Sequence, residues 1–88
     1  MEIKITTCQC RDDFGRQRCF HYFLTVDQVT ACGFFCENYG VRIAEENGDS
    51  SAIPSITTSA TRIDELITQL VEHQVGPIGL PDVVSDWL

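Results

Sequence analysis

Residues 16–26 read RQRCFHYFLTV, and this stretch decides the fold. Its β-branched and aromatic side chains are typical of a strand, whose successive residues point to opposite faces of a sheet. One face of this strand carries Phe20, Tyr22 and Leu24. The positions between them carry Cys19, His21 and Phe23. Because aromatic side chains occur on both faces, the strand indicates a sheet that needs cover on both sides.

An antiparallel partner for this strand precedes it in the chain. Residues 2–10, EIKITTCQC, are also strand-like, and the intervening residues 12–15, DDFG, form a turn whose glycine can adopt a positive φ. We expect Ile3 and Ile5 to share the face of Tyr22, which requires the numbers of paired residues to add up to an odd number. The first two strands therefore form a β-hairpin.

Two further strands are predicted after this hairpin. Residues 27–30, DQVT, have the polarity of a short connection, and residues 32–46 show the alternation of a half-buried strand in their latter part. Residues 47–49, NGD, are the strongest hairpin signal in the chain and return it into residues 51–56. Pro54 cannot donate a ladder hydrogen bond, so we expect this last strand at an edge of the sheet.

Helical periodicity dominates the remainder of the chain. Residues 57–61 offer several N-caps for a helix that runs to about Gln74. The apolar face of this helix comprises Ile63, Leu66, Ile67, Leu70 and Val71. We expect Gly76 to end it in the left-handed conformation and residues 80–88 to form a second, short helix. The sequence thus predicts an α+β fold, a four-stranded antiparallel β-meander followed by an amphipathic helix and a short C-terminal helix (β-β-β-β-α-α).

Length and charge limit the classes of function. A chain of 88 residues can build one core, so residues 1–88 are predicted to form a single domain. Its formal net charge of −7 repels polyphosphate backbones and anionic lipid surfaces, so we expect neither a nucleic-acid partner nor a membrane partner. The chain shows no signal-peptide pattern and no apolar run near the roughly 20 residues that span a bilayer. We therefore expect an acidic cytoplasmic protein whose five cysteines are mostly thiols.

Several short motifs resemble a known protein family. They are Tyr22-Phe23-Leu24-Thr25, Tyr39-Gly40-Val41-Arg42-Ile43, Ile56-Thr57-Thr58 and above all the ending VGPIGLPDVVSDWL at residues 75–88. Together they resemble a small uncharacterised family of bacterial proteins, chiefly from Firmicutes such as clostridia, that is a domain of unknown function. The resemblance implies a single-domain cytosolic protein and no catalytic residues. The five cysteines depart from the pattern of this family.

Cysteine and histidine side chains on the first hairpin are candidate metal ligands. The loop length leaves open whether the numbers of paired residues add up to 27 or to 29. In the register that adds up to 29, Cys8, Cys10, Cys19 and His21 form two facing pairs of residue types that bind zinc. Neighbours are about 7 Å apart along one face of a strand and about 5 Å apart across strands. A zinc–sulfur bond of about 2.3 Å is too short to reach the centre of such a rectangle. Metal binding by these four residues therefore requires strong twist or a bulge.

Other reactive arrangements are weaker. Cys32 and Cys36 would share a face of a strand but stand too far apart for a disulfide, and a redox role would require this segment to be helical. Cys19 and His21 could form a nucleophile and base, although two positions along a strand exceed hydrogen-bond distance. The chain contains no phosphate-binding glycine-rich loop and no HExxH motif, so we expect no cofactor and do not favour an enzyme.

The apolar character of both sheet faces supplies the leading functional hypothesis. One helix covers one face, so the other face must meet the terminal segment with Val84 and Trp87, another subunit or a ligand. This favours a non-enzymatic interaction or regulatory protein that binds a protein partner, with a homodimer formed through an apolar sheet face as one version. A Cys/His metal-binding or thiol-redox module is the alternative, and a small enzyme is the third hypothesis.

Overall fold

A computed structural model of the chain describes residues 1–31 and 33–88. Its elements in chain order are β1 (Glu2–Arg11), β2 (Gln17–Ala31), β3 (Phe34–Glu45), β4 (Ser50–Thr57), α1 (Ala60–Glu72) and α2 (Leu80–Trp87). The strands form one antiparallel sheet in the order β1-β2-β3-β4. The predicted α+β architecture of a four-stranded meander followed by two helices is confirmed, and the strand that contains Pro54 lies at an edge of the sheet.

Both helices pack on the same face of the sheet, which we call the helix face. The buried residues of this core are Phe20, Tyr22, Val41 and Ile43 from the sheet, Ile63, Leu66, Ile67 and Leu70 from α1, and Leu80 and Val84 from α2. Of the three alternatives for covering the second face, the terminal segment is therefore excluded. Its Leu80 and Val84 are needed on the helix face, because α1 is too short to cover two long central strands by itself.

Tyr22 ties the sheet to the segment between the helices. Its side chain is fully buried, and its hydroxyl donates a 2.8 Å hydrogen bond to the carbonyl oxygen of Val75. Burial disfavours the phenolate and raises the pKa of Tyr22 well above its usual value. Tyr22 therefore remains a neutral donor that holds this segment against the sheet.

The ends of α1 differ in part from the sequence-based expectation. Ser59 is the N-cap, and its hydroxyl accepts a hydrogen bond from the backbone N–H of Arg62 at 3.3 Å. At the other end Gln74, with φ of 53°, adopts the left-handed conformation that the sequence predicts for Gly76. Gly76 instead allows the backbone to approach the ring of Phe20 closely, since a Cβ atom on Gly76 would lie 3.0 Å from that ring.

The pairing of β1 with β2 changes register at a bulge. Ile3 lies opposite Leu24 and so shares its face as predicted, whereas Cys8 lies opposite Phe20 because Ile5 is skipped in the pairing. The predicted register is therefore wrong beyond the bulge, since one extra residue transfers every later side chain to the other face. Cys8 consequently packs against the helix-face core.

The hairpin of β2 and β3 extends far beyond its neighbours. Pairing with β1 ends where the Met1 ammonium and the Val26 carbonyl meet at 3.0 Å, and pairing with β4 ends at Tyr39. Residues 27–31 and 34–38 pair only with each other within the described part of the chain, and we call them the arm. The predicted connection at residues 27–30 is thus wrong, because backbone pairing continues through these polar residues.

Gly40 lies where β4 bulges against the centre of the sheet. The register between β3 and β4 shifts between Tyr39 and Val41, so that the chain around Pro54 crosses close to Gly40. A Cβ atom on Gly40 would lie only 2.6 Å from the Pro54 Cα atom. This position therefore requires glycine for space.

Within the described residues, 1–31 and 33–88, neither helix is suited to crossing a bilayer. Both α1 and α2 lack the combination of length and apolar character that a membrane-spanning helix requires.

Candidate functional site

The sheet face opposite the helices is the open face, and most of it is polar. Its one large aromatic side chain near the sheet centre is Phe23, and the guanidinium of Arg42 lies 4.1 Å from the centre of that ring. Arg42 is held there by a 3.0 Å ion pair from its Nε to Glu2. Phe23, which the sequence predicts to need a partner, is thus covered within the chain by Arg42.

The arm carries three exposed apolar side chains at one end of the molecule. The exposed fraction is 76% for Phe34, 82% for Phe35 and 39% for Val29. The molecule measures 52 × 24 × 17 Å, and the five paired positions of the arm account for about 17 Å of strand length. Apolar groups therefore lie at the end of an extended projection, far from the core.

The two faces of the arm are chemically different. Val29 lies directly opposite Cys36, and Phe34 is the next residue on the same face of β3, which continues the open face of the sheet. Phe35 lies opposite Thr30 on the other face, beyond the reach of the helices. The open face of the arm thus presents a contiguous apolar patch, which we call the arm patch and define as Val29, Phe34 and Cys36.

Charge is confined to the base of the arm. Residues 29–36 include no acidic or basic residue, whereas Asp27 and Glu37 lie nearer the sheet. Asp27 and Glu37 also line a surface depression of about 430 Å³ beside Met1. The arm patch can therefore enter an interface without carrying a charge out of water.

The four predicted metal ligands do not converge. Beyond the Ile5 bulge, Cys8 and Cys10 point to the helix face and pack against its core, whereas Cys19 and His21 lie on the open face. The sheet itself therefore separates the two pairs. Of the predicted redox pair, Cys36 is an exposed free thiol, and Cys32 lies outside the described residues.

A different group of three metal-ligating side chains meets on the open face. The Sγ of Cys19 and the Nε2 of His21 are 3.9 Å apart, and a carboxylate oxygen of Glu46 lies within 4.8 Å of both. Glu46 reaches this position because its backbone N–H donates a 2.9 Å hydrogen bond to the Cys19 carbonyl, which places it across from Cys19. On the other side, Thr7 Oγ1 lies 3.1 Å from His21 Nδ1.

The electrostatics of Cys19 favour the neutral thiol. Burial raises the pKa of the Cys19 thiol, and the neighbouring Glu46 carboxylate raises it further. A thiol whose pKa is raised is a poor nucleophile at neutral pH, because little thiolate is present. The expectation that Cys19 and His21 exceed hydrogen-bond distance is wrong, since their side chains are within reach for sulfur at 3.9 Å, but the raised pKa of Cys19 disfavours the thiolate that a nucleophile needs.

Two features of these sites have no clear signal in the sequence. Glu46 has no signal of its own, because its place beside Cys19 depends on the register between β2 and β3. The arm has a partial signal, since residues 32–36 are apolar at neighbouring positions, but alternation alone places them inside the sheet.

Comparison with known proteins identifies the family of the chain. No curated protein and no solved structure is detectably similar to the chain. A family model matches its whole length, residues 1–88. The chain therefore belongs to DUF6514, a family of unknown function.

Proposed function

We propose that the protein is a small interaction protein that acts by binding rather than by catalysis, and that it forms a homodimer through its arm patch. The observation that carries this proposal is the projection of Val29, Phe34 and Cys36 on a two-stranded arm, outside the core. An isolated two-stranded hairpin is at best marginally stable in water. Packing of the arm against another protein surface would stabilise it and remove the apolar patch from water.

A second copy of the chain suits the arm patch. Two arms that pack face to face around a two-fold axis place each patch against an identical patch, which is the commonest symmetry of protein oligomers. With the axis midway between the levels of Val29 and Phe34, antiparallel arms place Val29 of each copy near Phe34 of the other. The two Asp27 positions would then be about 20 Å apart, farther than the Debye length of about 8 Å at physiological salt. Two molecules of charge −7 could therefore associate there without close like-charge contacts.

The same proposal includes the cellular setting. The acidic charge supports a protein partner rather than nucleic acid or a membrane. The free thiols of Cys8, Cys10, Cys19 and Cys36 fit a reducing compartment, so we propose a cytoplasmic location. The resemblance of residues 75–88 to a clostridial family supports a source among the Firmicutes.

Molar mass measured by light scattering during serial dilution tests the dimer. A contact between two arm faces lies at the lower end of interface sizes, so we expect a dissociation constant of about 10–100 µM. The mass should rise from that of the 9.9 kDa chain at about 1 µM toward twice this value at about 500 µM. A mass that stays at 9.9 kDa over the whole range would contradict the proposal.

A further inference from the structure

We propose that Cys19, His21 and Glu46 bind a zinc ion on the open face, with the fourth coordination position left for water or an external ligand. These residues supply sulfur, nitrogen and oxygen, the three ligand atoms that zinc accepts from proteins. Magnesium and calcium prefer oxygen ligands alone, so the thiol selects against them.

The spacing of the three ligand atoms fits a tetrahedral ion. With zinc–sulfur and zinc–nitrogen bonds of about 2.3 and 2.05 Å, a tetrahedral angle places sulfur and nitrogen about 3.6 Å apart. The Cys19 Sγ and His21 Nε2 atoms are 3.9 Å apart, and all three ligand atoms lie within 4.8 Å of one another. Small rotations of these side chains are enough to close the set around an ion.

Side-chain length explains why Cys19, His21 and Glu46 can bring their ligand atoms together on a flat sheet. Cysteines at all these positions would be too short, but the imidazole of His21 reaches back along β2 and the carboxylate of Glu46 reaches across from the end of β3. Cys19 and Glu46 also line a surface depression of about 310 Å³, which gives the fourth position room for a water molecule or a small anion.

Thr7 orients the imidazole ring of His21 for metal binding. His21 Nδ1 lies 3.1 Å from Thr7 Oγ1, and an Nδ1–H that donates to this hydroxyl leaves the lone pair of Nε2 directed toward Cys19. Hydrogen bonds of this kind fix the ring orientation of metal-bound histidines and are typically worth about 10- to 100-fold in metal affinity. On coordination the Cys19 S–H bond breaks, the thiolate binds zinc and the proton passes to the buffer.

The test is titration of the reduced protein with Co²⁺, followed by displacement with Zn²⁺. We expect one ion per chain, a thiolate-to-cobalt charge-transfer band, and release of about one proton per ion. Cys19→Ser should abolish the band, His21→Gln and Glu46→Gln should each weaken binding about 100-fold, and Thr7→Val should weaken it about 10-fold. Amide NMR spectra of the apo variants establish that each one is folded.

Two variants serve as matched controls. Cys8→Ser/Cys10→Ser and Cys32→Ser remove three of the other four thiols, and both should keep the band and the stoichiometry. The proposal is overturned if wild type shows no charge-transfer band, if folded Cys19→Ser keeps it, or if either folded control loses it. The site lies at the opposite end of β2 from the arm patch, so the outcome is independent of the proposed dimer.

Discussion

Replacement of Phe34 by serine should leave the protein folded but monomeric at concentrations at which the wild-type chain is dimeric. Phe34 is 76% exposed in the single chain and is absent from the core cluster, so the free energy of unfolding should change by less than about 0.5 kcal/mol. The dimer loses two buried phenylalanines, roughly 3–6 kcal/mol, because the two-fold axis repeats the change. Light scattering should therefore show a dissociation constant raised by about 100-fold or more.

Two further phenylalanines provide matched controls for this variant. Phe14 is 83% exposed in the turn between β1 and β2, at the opposite end of the molecule, so Phe14→Ser should dimerise like wild type. Phe35 is adjacent to Phe34 but lies on the other face of the arm, so Phe35→Ser should have a clearly smaller effect. Equal losses from Phe34→Ser and Phe35→Ser would contradict the assignment of the interface to one face.

Gly40→Ala should be strongly destabilising. The new Cβ atom would overlap the Ile53 carbonyl oxygen and lie 2.6 Å from the Pro54 Cα atom. Both are backbone atoms, so no side-chain rotation can relieve the overlap, and β4 must move away from β3. We expect the free energy of unfolding in urea to fall by about 3 kcal/mol, a large part of the stability of a small domain.

Gly15→Ala is the control for Gly40→Ala. Gly15 has φ of 77°, and the position that a Cβ atom would take there has no neighbouring atom within 4 Å. Alanine at this position therefore adds backbone strain of only about 1 kcal/mol. Urea denaturation of both variants separates steric overlap from loss of glycine flexibility. If Gly40→Ala were no more destabilising than Gly15→Ala, the close packing of the β4 bulge on β3 would be wrong.

Sequence patterns predict the elements well and their exact alignment poorly. Alternation in residues 16–26, the Asn47-Gly48 turn and the apolar face of α1 are sufficient for the meander and its helix, because each reflects burial on one side of an element. The Ile5 bulge is not predictable in this way. In residues 2–10 polar and apolar residues fit either face, so no burial penalty identifies the skipped residue.

The arm is also not predictable from burial patterns in the sequence. Residues 27–30 form a strand that is paired along its backbone but not buried, so no hydrophobic alternation marks it. The polarity of Asp27 and Gln28 therefore indicates a connection when the sequence is considered alone. The apolar residues at 29 and 34–36 can be seen in the sequence, but only the structure shows that they lie past the points where β1 and β4 end.

The candidate metal ligands illustrate the same limit. Cys19 and His21 are predicted to share a face because they lie on one strand, and the structure places them so. Cys8 and Cys10 are assigned through a register that the bulge changes, and Glu46 can be placed only through the pairing of β2 with β3. Relations within one strand are predictable from the sequence, whereas relations between strands need the structure.

The most direct test of the arm-mediated dimer is an isotope-filtered NOE experiment on a mixture of ¹³C-labelled and unlabelled chains. We predict intermolecular NOEs between the Val29 methyl groups and the Phe34 ring, together with contacts to Cys36, and none from the exposed surface of α1. Absence of intermolecular NOEs at the arm in a sample whose mass is that of a dimer, or NOEs that come from the helices instead, would contradict it.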